Sequence, residues 1–379
     1  MRRAKKIAFI VQDLCGQGAQ YATAAVARAL VQAGHQVEFL ISPVHRDKVE
    51  KGDSMAFSLD ERIKLIEMPS RHARYNILFI RRYLKTTDAD AVLSTSGPYH
   101  KAHRLALVGL KTKCLNVQMD HGIIGWDRVN RRDLPAPRFL SRRWLRGRWH
   151  LSRFDRVFTV NRYAKEGILR MCSSYPREHI QVVYNPCIDE LFFQKRNAEP
   201  SHPWLRCKDV PTFICAGAYY PYKDHMTLLR AMKRVADSGV KARAIIFGTG
   251  PLKDEYLRYI QENRMEDVVS VPGYTTNLPA EMRAADGYLM TSSWESFGIV
   301  VVEALASGLP VISTDAIGPA EILQSGRYGR LVGVGDDVAR AEAIKAEVKN
   351  PSAKPTEESW RDYTAEKCAL AMVESIDQK

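Results

Sequence analysis

Two rounds of alternating apolar runs and helical patterns constrain the fold of this chain more than any other feature of its sequence. The first run, Lys6–Val11, leads into a loop with two glycines, and a helical pattern follows over about residues 19–33. Another apolar run covers residues 37–41. A strand, a loop, a helix and a second strand in this order predict a βαβ unit, whose two strands are parallel.

The same alternation predicts two domains of one class. Apolar runs at residues 91–94, 114–117, 157–160 and 180–183 continue the first sheet, and the pattern restarts at 212–216 after a segment rich in proline and charge. We therefore expect an α/β fold of two Rossmann-like doubly wound domains facing a central cleft. The expected domains are residues 1–190 and 191–356. A C-terminal helix at about residues 357–379 is expected to pack back on the first domain.

The length of 379 residues, with 45% hydrophobic and 26% charged residues, suffices for two domains that each have a core. No apolar run approaches the about 20 residues that span a bilayer, so we expect neither a transmembrane helix nor a signal peptide. Seven scattered cysteines without a CxxC pair predict neither a disulfide scaffold nor a zinc site. The cytoplasm is the expected compartment.

Positive charge is concentrated in the first half of the chain. Residues 1–190 carry 33 Lys and Arg against 18 Asp and Glu, whereas residues 191–379 carry 23 against 25. Ten arginines between residues 128 and 156 alternate with aromatic and aliphatic residues. This pattern is typical of a helix that lies on an anionic membrane surface. The residues expected to contact the membrane, or a ligand bound there, are Arg142, Arg143, Trp144, Arg146, Arg148 and Trp149.

Two other interpretations of this basic segment remain open at this point. A solvated helix held on its own core by the tryptophans has the same spacing. Nucleic acid also attracts basic and aromatic residues, but no helix-turn-helix, RNP, zinc or KH signature accompanies the segment. We therefore expect a membrane surface, and no nucleic acid, as the partner.

Residues 292–315 hold the strongest chemical signal. Glu295 precedes a helix predicted over residues 297–306, and Glu303 lies about two turns inside it. The backbone N–H groups of Ser296, Phe297 and Gly298 stand at the N-terminus of this helix, where anions bind. A diphosphate at these amides, with carboxylates accepting hydrogen bonds from hydroxyls on either side, suits a nucleotide-sugar. The stretch by itself is equally consistent with a helix-capping Glu295 and a solvated Glu303.

The same stretch closely resembles the E-x7-E signature of the retaining GT-B glycosyltransferases of family 4 and continues with the typical Gly-Leu-Pro-Val-Ile at 308–312. Further segments match the family in the same order along the chain. These are the glycine loop 16–19, the histidine loop 120–122, the hinge 184–186, the donor-phosphate loop 217–225, the turn 248–252 and the loop 320–323. The resemblance covers nearly the whole chain, is most specific in its second half, and implies a GT-B fold.

The resemblance also implies roles for individual residues. Glu303 would bind the ribose hydroxyls and Glu295 a hydroxyl of the donor sugar. Lys223 would neutralise charge on the leaving β-phosphate, and His121 would contact the sugar. The catalytic residues implied are thus Glu295, Lys223 and His121. The donor-binding residues implied are Glu303, Ser296, Phe297, Gly298, Ile299, Gly16, Gly18, Gly248 and Gly250.

One position departs from the family pattern. Members commonly carry an arginine directly after the first glycine of the donor-phosphate loop 217–225, named the lysine loop for Lys223. This chain has Ala218 at that position. The β-phosphate therefore loses a bidentate hydrogen-bond donor. Three interpretations remain open: another arginine replaces it, the site depends more on Lys223 and backbone amides, or the activity is low.

Cofactor and metal signals are weak. The loop from Gly16 does not complete GxGxxG, and no acidic residue ends the next strand, which disfavours a dinucleotide-binding dehydrogenase. Asp88 and Asp90 form a DxD sequence just before a predicted strand, far along the chain from the donor motifs. We interpret them as solvated loop carboxylates and expect no metal and no cofactor.

These observations predict a retaining, metal-independent glycosyltransferase. It would move a hexose or N-acetylhexosamine from a nucleotide-sugar to a lipid-linked saccharide, at the inner face of the cytoplasmic membrane. UDP is favoured because UDP donors are commoner in the family. The alternatives are a soluble GT-B epimerase or disaccharide synthase, and a non-catalytic subunit that binds sugar nucleotide or lipid.

Overall fold

A computed structural model describes residues 3–378, except 16–17, 51–58, 123–150 and 152. Within it the chain forms two compact units. The first unit extends to Pro186 and includes the C-terminal segment from Tyr363 onward; the second is Cys187–Asp362. The predicted boundary at residues 190/191 lies four residues after the observed one. The predicted return at about residue 357 lies six residues before Tyr363.

The first unit contains a seven-stranded, all-parallel sheet with the order β3-β2-β1-β4-β5-β6-β7. Its strands are β1 (Lys6–Val11), β2 (Gln36–Ile41), β3 (Lys64–Glu67), β4 (Ala91–Ser94), β5 (Leu115–Asp120), β6 (Arg156–Thr159) and β7 (Ile180–Val182). Near-continuous apolar strands such as β1 are buried because helices cover both faces of a parallel sheet.

Helices cover both faces of this first sheet. They are α1 (Ala19–Gln32), α2 (Pro43–Glu50), α3 (Ile77–Thr86), α4 (Gly97–Ala106), α5 (Arg162–Met171) and the C-terminal α14 (Ala365–Asp377). On one face, α1 and α14 pack with Phe9 and Phe39 in one core; on the other, α3 and α4 pack with Ile10 and Val92. The last helix of the chain therefore belongs to the core of the first unit.

The second unit contains a six-stranded, all-parallel sheet with the order β10-β9-β8-β11-β12-β13. Its strands are β8 (Thr212–Ala216), β9 (Arg243–Phe247), β10 (Val269–Gly273), β11 (Gly287–Met290), β12 (Val311–Thr314) and β13 (Arg330–Val332). Its helices are α6 (Glu190–Arg196), α7 (Pro203–Arg206), α8 (His225–Asp237), α9 (Lys253–Glu262), α10 (Leu278–Ala284), α11 (Ile299–Ala306), α12 (Ile317–Ile322) and α13 (Asp337–Lys349). One core joins α8, α9 and α13 to the sheet.

The predicted α/β fold of two doubly wound sheets is confirmed, with differences in detail. Strands β3 and β13, of four and three residues at sheet edges, were not predicted from the sequence. Helix α11 begins at Ile299, two residues later than predicted, because Gly298 has a φ of +101° that no α-helix continues. Trp360 and Tyr363, predicted within the last helix, lie outside it, because Thr364 caps α14.

No described helix is both long and apolar enough to cross a membrane. The six arginines and tryptophans of the predicted surface helix, Arg142 to Trp149, lie outside the described residues. The membrane contact therefore stays a prediction.

Candidate functional site

An ion pair joins two loops at the carboxyl edge of the second sheet. Lys223 ends a short 3-10 turn after β8, and Glu295 lies in the loop between β11 and α11. The Lys223 Nζ atom is 2.5 Å from the Glu295 Oε2 atom, and their side chains are 16% and 17% exposed. Ligands of open α/β sheets bind at this edge. The structure therefore brings together two of the three predicted catalytic residues.

Hydrogen bonds to backbone carbonyl oxygens fix the two loops against each other and against α12. The Thr291 hydroxyl donates to the Lys223 carbonyl oxygen at 2.7 Å, and the Ser293 N–H donates to the Tyr222 carbonyl oxygen at 2.9 Å. The Gly318 N–H donates to the Glu295 carbonyl oxygen at 3.1 Å. Positions fixed in this way hold the Lys223–Glu295 pair in one geometry before any ligand arrives.

The N-terminus of α11 lies directly beside this pair. Gly298 precedes the helix in the left-handed region, with a φ of +101°, and no side chain caps the helix there. The first N–H groups of an α-helix have no acceptor within the helix, but here the Val301 N–H donates to the Gly298 carbonyl oxygen at 2.9 Å, which leaves the N–H groups of Ile299 and Val300 for a ligand. Together with the helix dipole, these groups can bind an anion. Ser296 and the buried Phe297 complete the loop, so the predicted residues 295–299 are contiguous in space.

Glu303 is half-buried in the second turn of α11, closer to its start than predicted. Burial raises the pKa of Glu303 to about 7; Lys195 lowers this pKa and Asp189 raises it. A solvated surface carboxylate, the alternative for this residue, would not show such desolvation. Near neutral pH the carboxyl group exchanges between a hydrogen-bond donor and an acceptor form.

Gly248 and Gly250 allow two loops of the second unit to touch. A Cβ atom on Gly248 would lie 1.9 Å from the Gly217 carbonyl oxygen, and one on Gly250 would lie 2.6 Å from the Tyr219 carbonyl oxygen. The Tyr219 N–H donates to the Thr249 carbonyl oxygen at 2.8 Å. Both glycines thus shape the lysine loop from behind. Their direct contact with a donor stays a prediction.

An aromatic group beside the ion pair was not predicted from the sequence. The rings of Tyr220 and Tyr222 are nearly parallel, with centroids 6.1 Å apart, and Trp294 meets Tyr222 edge-on at 6.5 Å. Tyr220 is 46% and Tyr222 43% exposed. The Lys223 Nζ atom lies 5.6 Å from the Tyr222 ring centroid, within cation–π distance. Alternate tyrosines in the lysine loop were the available sequence signal.

The third predicted catalytic residue, His121, lies in the first unit, directly after β5. Its Nδ1 atom is 2.9 Å from the Asn185 amide oxygen, and burial lowers the pKa of His121. Because the amide oxygen accepts, Nδ1 carries the proton and Nε2 is the acceptor nitrogen of the neutral ring. The neighbouring Asp120 was not predicted as a site residue; burial raises its pKa to about 6.

Gly18 also belongs to the first unit, where it has a φ of +68° and precedes α1. Gly16 lies outside the described residues. Neither glycine is tested as a donor-binding residue, and both stay predictions.

A cavity of about 700 Å³ opens at the carboxyl edge of the first sheet. Gln12, Val44 and Pro98 line it, and these residues follow β1, β2 and β4. Cationic side chains share the lining with apolar ones: Arg71, Arg74, Lys101, Ile77, Ala102 and Leu105. The cavity therefore combines an apolar interior with positive charge.

The DxD carboxylates lie away from this edge. Asp88 and Asp90 precede β4, so they stand at the amino edge of the first sheet. The Lys6 ammonium lies 2.5 Å from an Asp88 oxygen, and the Lys6 N–H donates to Asp90 at 2.9 Å. Among the described residues, no three His, Cys, Asp or Glu side chains are grouped to hold a metal ion. Metal independence stays a prediction.

Two family profiles match the chain. Glycosyltransferase Family 4 matches residues 16–190, and Glycosyl transferases group 1 matches residues 201–367. The chain belongs to the family 4 glycosyltransferases. This confirms the family resemblance of its loops, although the profiles do not test the E-x7-E motif or the role of any residue.

Two relatives show how far the family similarity extends. The N-acetyl-alpha-D-glucosaminyl L-malate synthase of Bacillus anthracis is 28% identical over 44% of this family 4 chain and 44% of its own length. The GPI3 subunit of phosphatidylinositol N-acetylglucosaminyltransferase from Saccharomyces cerevisiae is 24% identical over 79% of this chain and 65% of its own. The chain thus spans less than two thirds of each relative.

Solved structures agree on the fold. A glycosyltransferase from Rickettsia africae has a TM-score of 0.71 at 18% identity and covers 99% of this family 4 chain and 94% of its own. HepE from Anabaena, in complex with UDP and glucose, has a TM-score of 0.66 at 17% identity, with coverages of 98% and 94%. The fold of this chain is GT-B.

Proposed function

We propose that this protein is a retaining, metal-independent glycosyltransferase that transfers a hexose or N-acetylhexosamine from a nucleotide-sugar. The observation that carries the proposal is the Lys223–Glu295 ion pair beside the N-terminus of α11. A cation, a carboxylate and backbone amides meet there at a ligand-binding edge of the sheet. The cation and the backbone amides can bind a diphosphate, and the carboxylate can accept a hydrogen bond from a sugar hydroxyl.

In the proposed reaction, the bond from the sugar C1 to the diphosphate breaks and a bond from C1 to the acceptor oxygen forms on the same face. Lys223 leaves Glu295 and donates to the β-phosphate as negative charge develops there. Glu295 then accepts a hydrogen bond from the sugar, and ionised Glu303 accepts from the ribose hydroxyls. The acceptor proton passes to the departing phosphate, so no protein carboxylate acts as nucleophile.

Two findings support UDP as the nucleotide and a glycolipid or envelope saccharide as the acceptor. HepE was solved with UDP and glucose. Relatives include a phosphatidyl-myo-inositol mannosyltransferase of Mycobacterium leprae, 34% identical over 37% of each chain. The basic-lined cavity of the first unit also suits an acceptor that carries both phosphate and apolar groups. We place this activity at the inner face of the cytoplasmic membrane.

A soluble acceptor is the second candidate. The name of the N-acetyl-alpha-D-glucosaminyl L-malate synthase of Bacillus anthracis contains L-malate, a small polar molecule. Positive side chains at the cavity would bind such an anionic molecule equally well. Partition onto anionic vesicles separates the two candidates, because only the lipid-linked acceptor requires it.

The first experiment is a thermal-shift screen of UDP, GDP, ADP and their sugar conjugates, with and without Mg²⁺. A ligand of the native state raises the apparent stability. We expect one nucleotide family to stabilise the protein without metal, and its sugar conjugate then to react with a lipid-linked saccharide. Stabilisation only with Mg²⁺ would contradict metal independence, and no response to any nucleotide would contradict the proposed function.

A further inference from the structure

Arg340 is the largest fully buried side chain among the described residues. It lies in the first turn of α13, and its exposed fraction is 0%. Its Nε, Nη1 and Nη2 atoms have no hydrogen-bond partner among the described residues. A guanidinium has five N–H donors, and buried charges are normally paired or hydrogen-bonded. This arginine therefore requires an explanation other than packing.

Two physical effects oppose a cation at this position. Burial lowers the pKa of Arg340 to about 10, although Cys215, Asp224 and Asp336 raise it. The helix dipole also disfavours a cation in the first turn, where the backbone carries partial positive charge. The charge of Arg340 therefore destabilises the ligand-free folded protein relative to an apolar residue of similar size.

The neighbours of Arg340 place it behind the lysine loop. Helix α13 packs on α8, and α8 begins directly after the loop that ends with Lys223. Burial raises the pKa of Cys215, the penultimate residue of β8, to about 12, and the charges of Arg340 and Lys223 both lower it. Asp224, which follows Lys223 and caps α8, also interacts with Arg340. Both cations therefore act on the same end of β8.

The charges of the lysine loop and of Glu295 provide little positive potential for a diphosphate. Residues 217–224 contain one cation, Lys223, and one carboxylate, Asp224. Glu295 adds a second carboxylate through its ion pair with Lys223. This group has a net charge of −1, so a diphosphate would meet little positive potential from it. Arg340 is buried behind the same loop, where low dielectric extends the reach of its charge.

We propose that Arg340 is a positioning residue that supplies positive potential to the donor diphosphate from behind the lysine loop. The proposal rests on the proposed function, because it assumes that a nucleotide diphosphate binds at this loop. The bound anion then reduces the free-energy cost of the buried, unpaired charge, so the stability of the protein and its affinity for the ligand are linked. This is the first of the three interpretations that the loss of an arginine at Ala218 leaves open.

The test compares uridine, UMP and UDP, which share a base and differ in phosphate charge. Their dissociation constants are measured by calorimetry for the wild-type protein and for Arg340→Met, Arg340→Lys and Lys349→Met. Methionine keeps much of the volume without the charge, and lysine keeps the charge. Lys349 is exposed at the other end of α13, so its substitution removes an equal charge from the same helix.

We expect Arg340→Met to weaken UDP binding about tenfold, UMP binding less, and uridine binding not at all. Arg340→Lys should retain most of the UDP affinity, and Lys349→Met should retain all of it. Equal weakening of the three ligands, or unchanged UDP binding, would overturn the inference alone. If none of the UDP, GDP and ADP nucleotides of the thermal-shift screen binds the wild-type protein, the proposed function falls and the inference falls with it.

Discussion

The two units have the same architecture and carry different chemistry at the same place. Each has a parallel sheet whose carboxyl edge bears the candidate residues. In the second unit this edge holds an ion pair and a helix N-terminus, whereas in the first it holds a histidine and a basic-lined cavity. The shared fold therefore places both sets of candidate residues at the carboxyl edge of a sheet, and the loops determine their chemistry. Substitutions in one unit should therefore leave ligand binding by the other unit unchanged.

The largest effect is expected for Lys223→Ala in the second unit. Removing a preorganised cation from a developing phosphate charge typically lowers kcat about 10² to 10³-fold. We expect that loss in transfer from the nucleotide-sugar, with acceptor binding to the first unit unchanged. Lys233→Ala is the matched control, because Lys233 pairs with Asp237 at 2.5 Å on the exposed side of α8. Transfer at the wild-type rate by Lys223→Ala would rule out the assigned role.

Glu303→Gln should affect binding and stability in opposite directions. The amide has one uncharged acceptor oxygen where the carboxylate has two charged ones, so we expect nucleotide affinity to fall about tenfold or more. In the wild-type protein this affinity should rise with pH through about 7, as Glu303 ionises. The substitution should remove that dependence. Calorimetric titrations from pH 6 to pH 8.5 measure both effects.

The stability effect follows from the raised pKa of Glu303. The unfolded carboxyl loses its proton near pH 4.5 and the folded one near pH 7, so the folded state binds more protons between these values. Stability therefore falls as the pH rises through this window, and the cost is complete above about pH 7. We expect Glu303→Gln to recover at most about 3 kcal/mol at pH 8 in chemical denaturation. Equal stabilisation by Glu262→Gln, on an exposed residue of α9, would show that the effect is not specific.

The first unit should give the converse result. The double substitution Arg74→Ala and Lys101→Ala removes two cations from the cavity lining, and we expect the KM for a phosphate-bearing acceptor to rise about tenfold. The dissociation constant for the nucleotide should not change. Arg82→Ala with Lys85→Ala is the control, since both are exposed on α3 and neither lines the cavity. An equal change in both binding constants would contradict independent sites.

The smallest effect is expected for Tyr222→Leu, which removes the ring near Lys223. Exposed cation–π contacts contribute about 0.5 to 1 kcal/mol, so donor affinity should fall only about two- to fivefold. Tyr75→Leu, at a 60% exposed tyrosine of the first unit, should leave donor affinity unchanged. A loss of donor affinity as large in fold as the loss of transfer rate in Lys223→Ala would instead assign Tyr222 a direct contact with the substrate. Calorimetry with the nucleotide measures the difference.

The fold class follows from the amino-acid sequence alone, because alternating apolar runs and helical patterns report local periodicity. Sequence periodicity did not predict β3 and β13, because these edge strands are largely exposed and lack the buried apolar run that marks equally short strands such as β4 and β6. It also placed the start of α11 two residues early, since apolar spacing continues through Phe297 and the break comes from the backbone of Gly298. Residues 295–299 could be predicted together because they are contiguous along the chain.

Which distant groups interact, and how strongly they are desolvated, depends on how the elements pack in three dimensions. The Lys223–Glu295 pair joins residues 72 positions apart, and no local pattern specifies such a contact. The pKa of Glu303 and the burial of Arg340 depend on neighbours from several elements around each side chain. Periodicity reports which face of an element is apolar, whereas a charge buried on that face is apparent only when the elements pack. The fold was therefore predictable from sequence, and the electrostatics of the site were not.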